Sequence, residues 1–198
     1  AHALLGDCHR IFALYELAPA SERMPRARAA ALRALALDPD QVEAMATLAS
    51  IAVLHDWDPT ASNQATDRLL ARHPTHVRAL CERAATGFAL ADAGPADWEK
   101  SLHEIRRARA LDPLNAWVCG VHAMTLCLAQ RMDEGVAEAR HGVALDAANF
   151  TCRWALLNAL AETGRHDEVE REAESALAMS GRHPVLLGIL AASRAARG

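Results

Sequence analysis

The chain has 198 residues, 52% of them apolar, enough to bury the core of one ordinary domain. Its 21 basic and 25 acidic residues leave a formal charge of −4, which excludes the overall basic field that would draw nucleic acid or an anionic membrane. Aromatic residues make up only 4% while Ala and Leu abound, so helix formers dominate and an all-α protein is expected.

In chain order, residues 1–15 and 25–37 read as an opening helix pair joined by "ELAPASERMP". Residues 41–54 and 59–72 form the next pair, in which Asp58 is a capping carboxylate ahead of Pro59 at the first helical position. Trp57 is expected to plug the turn between them. Residues 76–91 and 97–110 follow, separated by "DAGPADWEK" (92–100), an enlarged turn where Gly94 closes the preceding helix. Residues 115–129 pair with 133–145, and 149–162 with 167–179. Asp133 and Asp167 are expected to stand before their helices as caps, Gly164 closes a first helix, and Ser180-Gly181 marks another C-terminus. "VLLGILAASRAAR" (185–197) is a single last helix.

Leu-Asp-Pro occurs at 37–39 and 111–113, and Leu-Asp-Ala at 145–147. The residue before proline is pushed out of the α region, so each such site ends a helix. Pro39, Pro74, Pro113, Ala147 and Pro184 recur at intervals in the mid-thirties. A period of that length means stacked helix pairs, none able to bury its apolar face without a neighbour. The expected organisation is one repeat domain over 1–198, with repeats 1–39, 40–74, 75–113, 114–147 and 148–184 and a last helix over 185–197.

Five cysteines, Cys8, Cys81, Cys119, Cys127 and Cys152, sit at irregular spacings in apolar helical settings. That pattern predicts reduced, buried thiols and a cytoplasmic protein. No run of 18 apolar residues and no basic-then-apolar N-terminus occurs, so neither a membrane span nor a signal peptide is expected. The chain starts at Ala1 without Met, as expected of a processed chain or a piece of a larger one.

The repeats resemble the tetratricopeptide repeat. "RARAAALRALALDP" supplies Ala27, Ala34 and Pro39 at the small and closing positions of its second helix, with Ala31 where a bulkier residue is usual; "VEAMATLASIA" supplies Met45, Leu48 and Ala49; "EIRRARALDP" supplies Ile105, Ala108 and Pro113. "RMDEGVAEARHGVALDA" has Gly135 and Gly142 at the small positions and Ala147 in place of Pro. The resemblance covers nearly the whole chain and implies a right-handed solenoid whose first helices line a concave groove. "LHDWDPTASNQATDRLLARHP" (54–74) also resembles a turn in tetratricopeptide arrays that follow winged-helix, nucleotide-cyclase or protein-kinase domains in bacterial signalling proteins. It departs from them at Pro59, Thr66 and Leu69.

Periodicity turns Glu43, Ala46, Ser50 and Val53; Arg78, Cys81, Ala85 and Phe88; Trp117, Gly120, Met124 and Cys127; and Thr151, Trp154, Asn158 and Ala161 toward that groove. Glu43, Arg78, Phe88, Trp117, Met124, Trp154 and Asn158 are the candidate partner-binding residues, with Trp117 and Trp154 as anchors. The same aromatics could instead pack between neighbouring helices. The carboxylate clamp of some arrays of this family is not expected, because Ser50, Ala85 and Met124 occupy the positions where donors are needed and only Asn158 fits. Cys119, His122 and Cys127 share a helix but do not make up a zinc site of four convergent ligands. Asp56 and Asp58 could be read as paired acid and base, but a cap accounts for Asp58, and no nucleophile, phosphate loop or catalytic dyad can be assembled. No metal, cofactor or catalytic residue is therefore expected.

The expected function is a protein-interaction or sensory module that binds a peptide or partner domain in the groove. The resemblance implies that it is the C-terminal part of a bacterial transcriptional or signalling regulator whose output domain lies before Ala1. A small-molecule sensor is one alternative. Another is a scaffold that self-associates through its C-terminal helix, for which an exposed apolar surface at "VLLGIL" (185–190) would argue. Direct nucleic-acid or membrane binding is not expected.

Overall fold

A computed structural model describes residues 1–89, 94–180 and 183–197; for residues 88, 89 and 180 it describes the backbone alone. Among the described residues the chain forms eleven α-helices, one short 3-10 turn (Thr86–Ala89) and no strand. The first helices of the pairs are α1 (His2–Leu14), α3 (Val42–Leu54), α5 (Val77–Ala85), α7 (Ala116–Leu128) and α9 (Phe150–Glu162). The second helices are α2 (Ala20–Leu37), α4 (Pro59–Arg72), α6 (Pro95–Leu111), α8 (Met132–Leu145) and α10 (His166–Ser180), and α11 (Pro184–Ala195) comes last. No described helix is long and apolar enough to cross a membrane. The described residues fall into two compact units, Ala1–Asp97 and Trp98–Gly198, divided inside α6.

The turn from one pair to the next is built the same way four times. The residue that ends the second helix returns its amide to the carbonyl four residues earlier: Asp38 to Ala34, His73 to Leu69, Asp112 to Ala108 and Asp146 to Gly142. Its own carbonyl then accepts the amide of Gln41, His76, Asn115 or Asn149, three residues on. That residue caps the next first helix: Gln41 accepts from the Ala44 amide, His76 Nδ1 from Ala79, Asn115 Oδ1 from Trp117 and Val118, and Asn149 Oδ1 from Cys152. His183 caps α11 through the Val185 amide. The recurring Asp adds a second tie, because Asp38 and Asp146 accept from the amides of Asp40 and Ala148. Ala147 can replace proline since the Asp, not the proline, carries this hydrogen bond.

Inside the pairs the chain reverses through a left-handed residue: Glu16 (φ 54), Trp57 (φ 55), Gln130 (φ 61) and Gly164 (φ 69). The following amide reaches back to the last turn of the first helix, Leu17 to Phe12, Arg131 to Leu126, Arg165 to Leu160 and Asp58 to Ala52. Only Gly164 could be read from the sequence as such a stop. Asp58 caps α4 through the Ala61 amide as expected, but Trp57 is 72% exposed and plugs nothing. A left-handed backbone at Trp57 turns the indole outward, away from the helices it was expected to seal.

Other boundaries also moved. α2 starts at Ala20, five residues before the expected 25, and carries Pro25 inside it. Asp133 and Asp167 lie within the first turns of α8 and α10 rather than before them, where they still favour the positive end of the helix dipole. The real contact at those starts is an ion pair three residues apart, Arg131 with Glu134 at 2.6 Å and Arg165 with Glu168 at 2.6 Å. α6 starts at Pro95, so residues 95–100 are helix instead of turn, and Gly94 stands at its start, its amide donating to Asp97 Oδ2. Residues 92 and 93 of the expected turn, and Gly181, lie outside the described residues.

Small residues set how closely the helices pack. In the first unit Ala27, Ala31 and Ala34 of α2 are buried with Ala44, Ala49 and Ile51 of α3. In the second, α9 contributes Leu156, Leu157 and Leu160 to a core shared with Val169 and Ala173 of α10 and Leu186 and Leu190 of α11. α8 reaches the cysteines through its glycines: a Cβ on Gly142 would meet Cys152 Sγ at 2.3 Å and Cys119 Cβ at 2.9 Å, and one on Gly135 would meet Cys127 Sγ at 2.5 Å. The thiols thus fill the volume that alanine takes at this position elsewhere. Gly142→Ala should lower the unfolding free energy by about 1–3 kcal/mol through overpacking, and Cys152→Ala in the same chain should restore most of it. Urea unfolding of the four chains checks this; an equal cost of Gly142→Ala in both backgrounds would refute it.

Candidate functional site

In the first unit, polar residues at three- and four-residue spacing put one charged stripe on each first helix: Asp7 and Arg10 on α1; Glu43, Thr47 and Ser50 on α3; Arg78 and Glu82 on α5. The fold joins them. Arg78 donates to Asp7 Oδ1 at 2.8 Å, to Glu43 Oε2 at 3.2 Å and to Thr47 Oγ1 at 3.3 Å. Arg10 donates to Asp7 Oδ1 at 2.9 Å and to Ser50 Oγ at 3.4 Å. His76 Nδ1 is occupied as a cap, so its Nε2 carries the hydrogen facing Glu43 Oε1 at 3.2 Å. Arg10, Thr47, Ser50 and Glu82 are buried, whereas Asp7 and Glu43 keep part of their surface in solvent. This is a charged face, with no metal-holding group of three His, Cys, Asp or Glu side chains anywhere among the described residues.

Of the expected groove residues of this unit, Glu43 and Arg78 are brought together. Ala46, Val53 and Cys81 are instead fully buried in helix packing. The side chain of Phe88 lies outside the described residues. Asp7, Arg10, Thr47 and Glu82 were not foreseen. The four-residue spacing from Arg78 was a signal for Glu82, but nothing in the sequence signalled the reach of Arg78 to Asp7, 71 residues away.

In the second unit the first helices carry the aromatic side chains. Gly120 of α7 lets α9 approach closely, since a Cβ there would meet the Cys152 amide nitrogen and Thr151 Cγ2 at 2.9 Å. Trp117, Met124, Trp154 and Asn158 are all half-buried. The Phe150 ring stacks near Trp154 with centroids 6.4 Å apart and meets His183 at 4.3 Å. Asn158 Nδ2 donates to the Trp154 carbonyl of its own helix, and Met124 packs against the core. The two readings of these aromatics therefore merge, since each tryptophan is partly packed and partly open. At the C-terminal helix, Leu186 and Leu190 are buried and Val185, Leu187 and Ile189 half-buried. Large exposed apolar side chains appear at the other end of the sequence, on α1, as Leu4, Leu5 and Phe12.

A second ionic group joins α6, α7 and α8. Arg109 Nε donates to Glu138 Oε1 at 2.7 Å, and His122 Nδ1 lies 3.5 Å from the same oxygen. Burial by itself would raise the Glu138 carboxyl, but His122 and Arg109 override it and hold it at about 2. Beside it, burial pushes the Cys119 and Cys127 thiols up to about 11 and Cys152 to about 12. None of the five cysteines is in a disulfide, and Cys8 is exposed, against the expectation that all are buried.

Among solved structures, a thermophilic TPR protein from Thermus thermophilus matches with a TM-score of 0.82 and 20% identity over 98% of this chain and all of that one. PilF of Pseudomonas aeruginosa matches at 0.64 with 13% identity, covering 99% of this chain and 86% of that one. A tetratricopeptide repeat protein from Parabacteroides merdae matches at 0.63 with 14% identity, over all of this chain and 73% of that one. No model of a protein family and no curated protein matches the sequence.

Two outcomes follow from the site chemistry. At pH 8 a maleimide should label the native protein rapidly at Cys8 alone and at all five cysteines in urea; mass spectrometry counts them, and fast native labelling of Cys119 or Cys152 would contradict the burial. Glu138 ionises more readily folded than unfolded, so its contribution is complete above the ordinary value of 4.5 and is lost as pH falls toward about 2. Glu138→Gln should flatten stability across that window when urea unfolding is compared at pH 7 and pH 3.

Proposed function

Because the chain has the tetratricopeptide-repeat fold, we propose that it is a protein-interaction module that holds an extended or helical segment of a partner against its first helices. The observation that carries this reading is the partial exposure of Trp117 and Trp154 on first helices. On α7 and α9, Val118, Val121, Leu126, Leu156, Leu157 and Leu160 are buried, whereas these two, like Met124 and Phe150, keep an open edge, as an interface anchor does. The Cys119 and Cys152 thiols are held protonated by burial, and Arg109 pairs with Glu138 and Arg78 with Asp7, which favours an interaction role over catalysis at these groups.

The further reading, that the array serves a bacterial transcriptional or signalling regulator, rests on the likeness of residues 54–74, of the opening segment 1–39 and of the Ser-Gly before His183-Pro184. An in-frame winged-helix, cyclase or kinase domain encoded upstream of Ala1 would support it; another kind of domain there would refute it.

The binding reading is tested with a displayed 12-residue peptide library selected on the immobilised full chain. Selected peptides should lose affinity about 10-fold or more on Trp117→Ala or Trp154→Ala, the loss expected for removing a central aromatic anchor. Arg140→Ala, on the second helix α8, should leave them unchanged. Peptides that bind both tryptophan variants as well as the wild type would overturn the assignment.

A further inference from the structure

α1 carries two different faces. Asp7 and Arg10 join the ionic group shared with α3 and α5, while Leu4, Leu5, Cys8 and Phe12, at spacings of three and four, form an apolar stripe on the other side. Leu4 is 69% exposed, Leu5 49% and Phe12 43%, and Cys8 is exposed as well.

The next first helix shows what such a stripe fits. On α3, Ala44 and Leu48 pack with Ala31, Ala34 and Leu35 of α2, and Ile51 packs with Met24 and Ala27. Leu48 stands before the small Ala49 as Leu5 stands before Gly6, where a Cβ would meet the Ala27 carbonyl oxygen at 3.1 Å. On that register Leu5 takes the place of Leu48, and Cys8 that of Ile51. The stripe is thus laid out as a surface for packing against another helix.

One edge of the stripe is basic. Arg23 of α2 lies over the Phe12 ring, 5.4 Å from its centroid, with a terminal nitrogen 3.3 Å from His9 Nδ1. Arg26 and Arg33 follow on the same side of α2, three and ten residues on. Burial, and then the charges of Arg23 and Arg26, lower His9 below its ordinary value, so both guanidinium groups act at this edge. Residues 1–37 hold five arginines against Asp7, Glu16 and Glu22. Arg10 pairs with Asp7 and Arg28 with Asp56, whereas Arg23, Arg26 and Arg33 have no ion pair among the described residues. The edge stays positive in a chain whose formal charge is −4.

We propose that the α1 stripe and the arginine edge of α2 form a second docking surface, for an amphipathic helix of a partner protein whose apolar side chains cover Leu4, Leu5, Cys8 and Phe12 and whose flanking Glu or Asp residues pair with Arg26 and Arg33. Apolar burial supplies the affinity, and the ion pairs select an acidic helix over a basic one. The surface is independent of the tryptophan face.

A library of helical peptides with a fixed Leu and Ala face and randomised flanks, displayed and selected on the immobilised full chain, tests it. Selected peptides should carry Glu or Asp on one flank. Their affinity, read by fluorescence polarisation, should fall about 10-fold or more on Phe12→Ala and on Arg26→Glu, and replacing the peptide's acid by Lys should restore binding to Arg26→Glu. Trp117→Ala should leave the affinity unchanged. Arg26 is exposed, so its variant serves where Phe12→Ala fails to fold. A saturating peptide should slow maleimide labelling of Cys8 about 10-fold, which places it on the stripe.

Peptides without an acidic flank, with full affinity for Arg26→Glu, or with Cys8 left open would overturn the proposal, as would a library that yields no binder. A dimer seen by light scattering and dissociated by Phe12→Ala would overturn it in favour of a second copy of the chain. Sedimentation with phosphatidylserine vesicles that is lost on Arg26→Glu would overturn it in favour of a membrane surface. Protection of Cys8 in a natural chain extended before Ala1 would overturn it in favour of that chain's own preceding segment.

Discussion

The turn between helix pairs is the constraint on which the rest of the structure depends. Four times the chain leaves a second helix through one returned amide, makes a tight turn, and starts the next first helix on a side chain that accepts its amides. The acceptors differ, Gln41, His76, Asn115 and Asn149, but their task is the same: they satisfy donors that a helix start would otherwise leave bare. Since both helix ends are tied within a few residues, successive pairs repeat with little freedom. The first helices α1, α3 and α5 then lie side by side in the first unit, and α7 and α9 in the second.

That regularity lets each face acquire a separate chemistry. The small residues face inward, where Ala27, Ala31 and Ala108, or Gly135 and Gly142 with a thiol in the space, let helices approach. The first helices carry what remains: ionic in the first unit, aromatic in the second. Neither pattern is required by the fold. Arg10, Glu82 and Ser50 occupy buried positions that apolar residues could fill at less desolvation cost, and here Arg10 bonds Ser50 while Glu82 lies against Arg78.

Each unit carries an ionic group that links helices distant in sequence. In the second, Glu138 accepts from Arg109 at 2.7 Å with His122 Nδ1 3.5 Å away, and these two neighbours hold its carboxyl at about 2 while linking α6, α7 and α8. In the first, Arg78 is shared among Asp7, Glu43 and Thr47 and stands 3.6 Å from Glu82 Oε1, which ties α1, α3 and α5.

The sequence by itself determined the helical class, the period, the pairing of helices and most of their boundaries. These are local: Asp before a turn, Pro at a helix start and small residues at fixed offsets act within a few residues of themselves. It also placed Glu43 and Arg78 on the groove side of their helices. The tertiary structure alone decided what depends on residues far apart in sequence. Arg78 meets Asp7 only because α1, α3 and α5 are adjacent, and Cys152 finds its room in Gly142 only because α8 and α9 pack there. Trp57 was misread for the same reason. Its exposure is set by a left-handed backbone that the flanking helices impose, a conformation nothing in the indole itself favours.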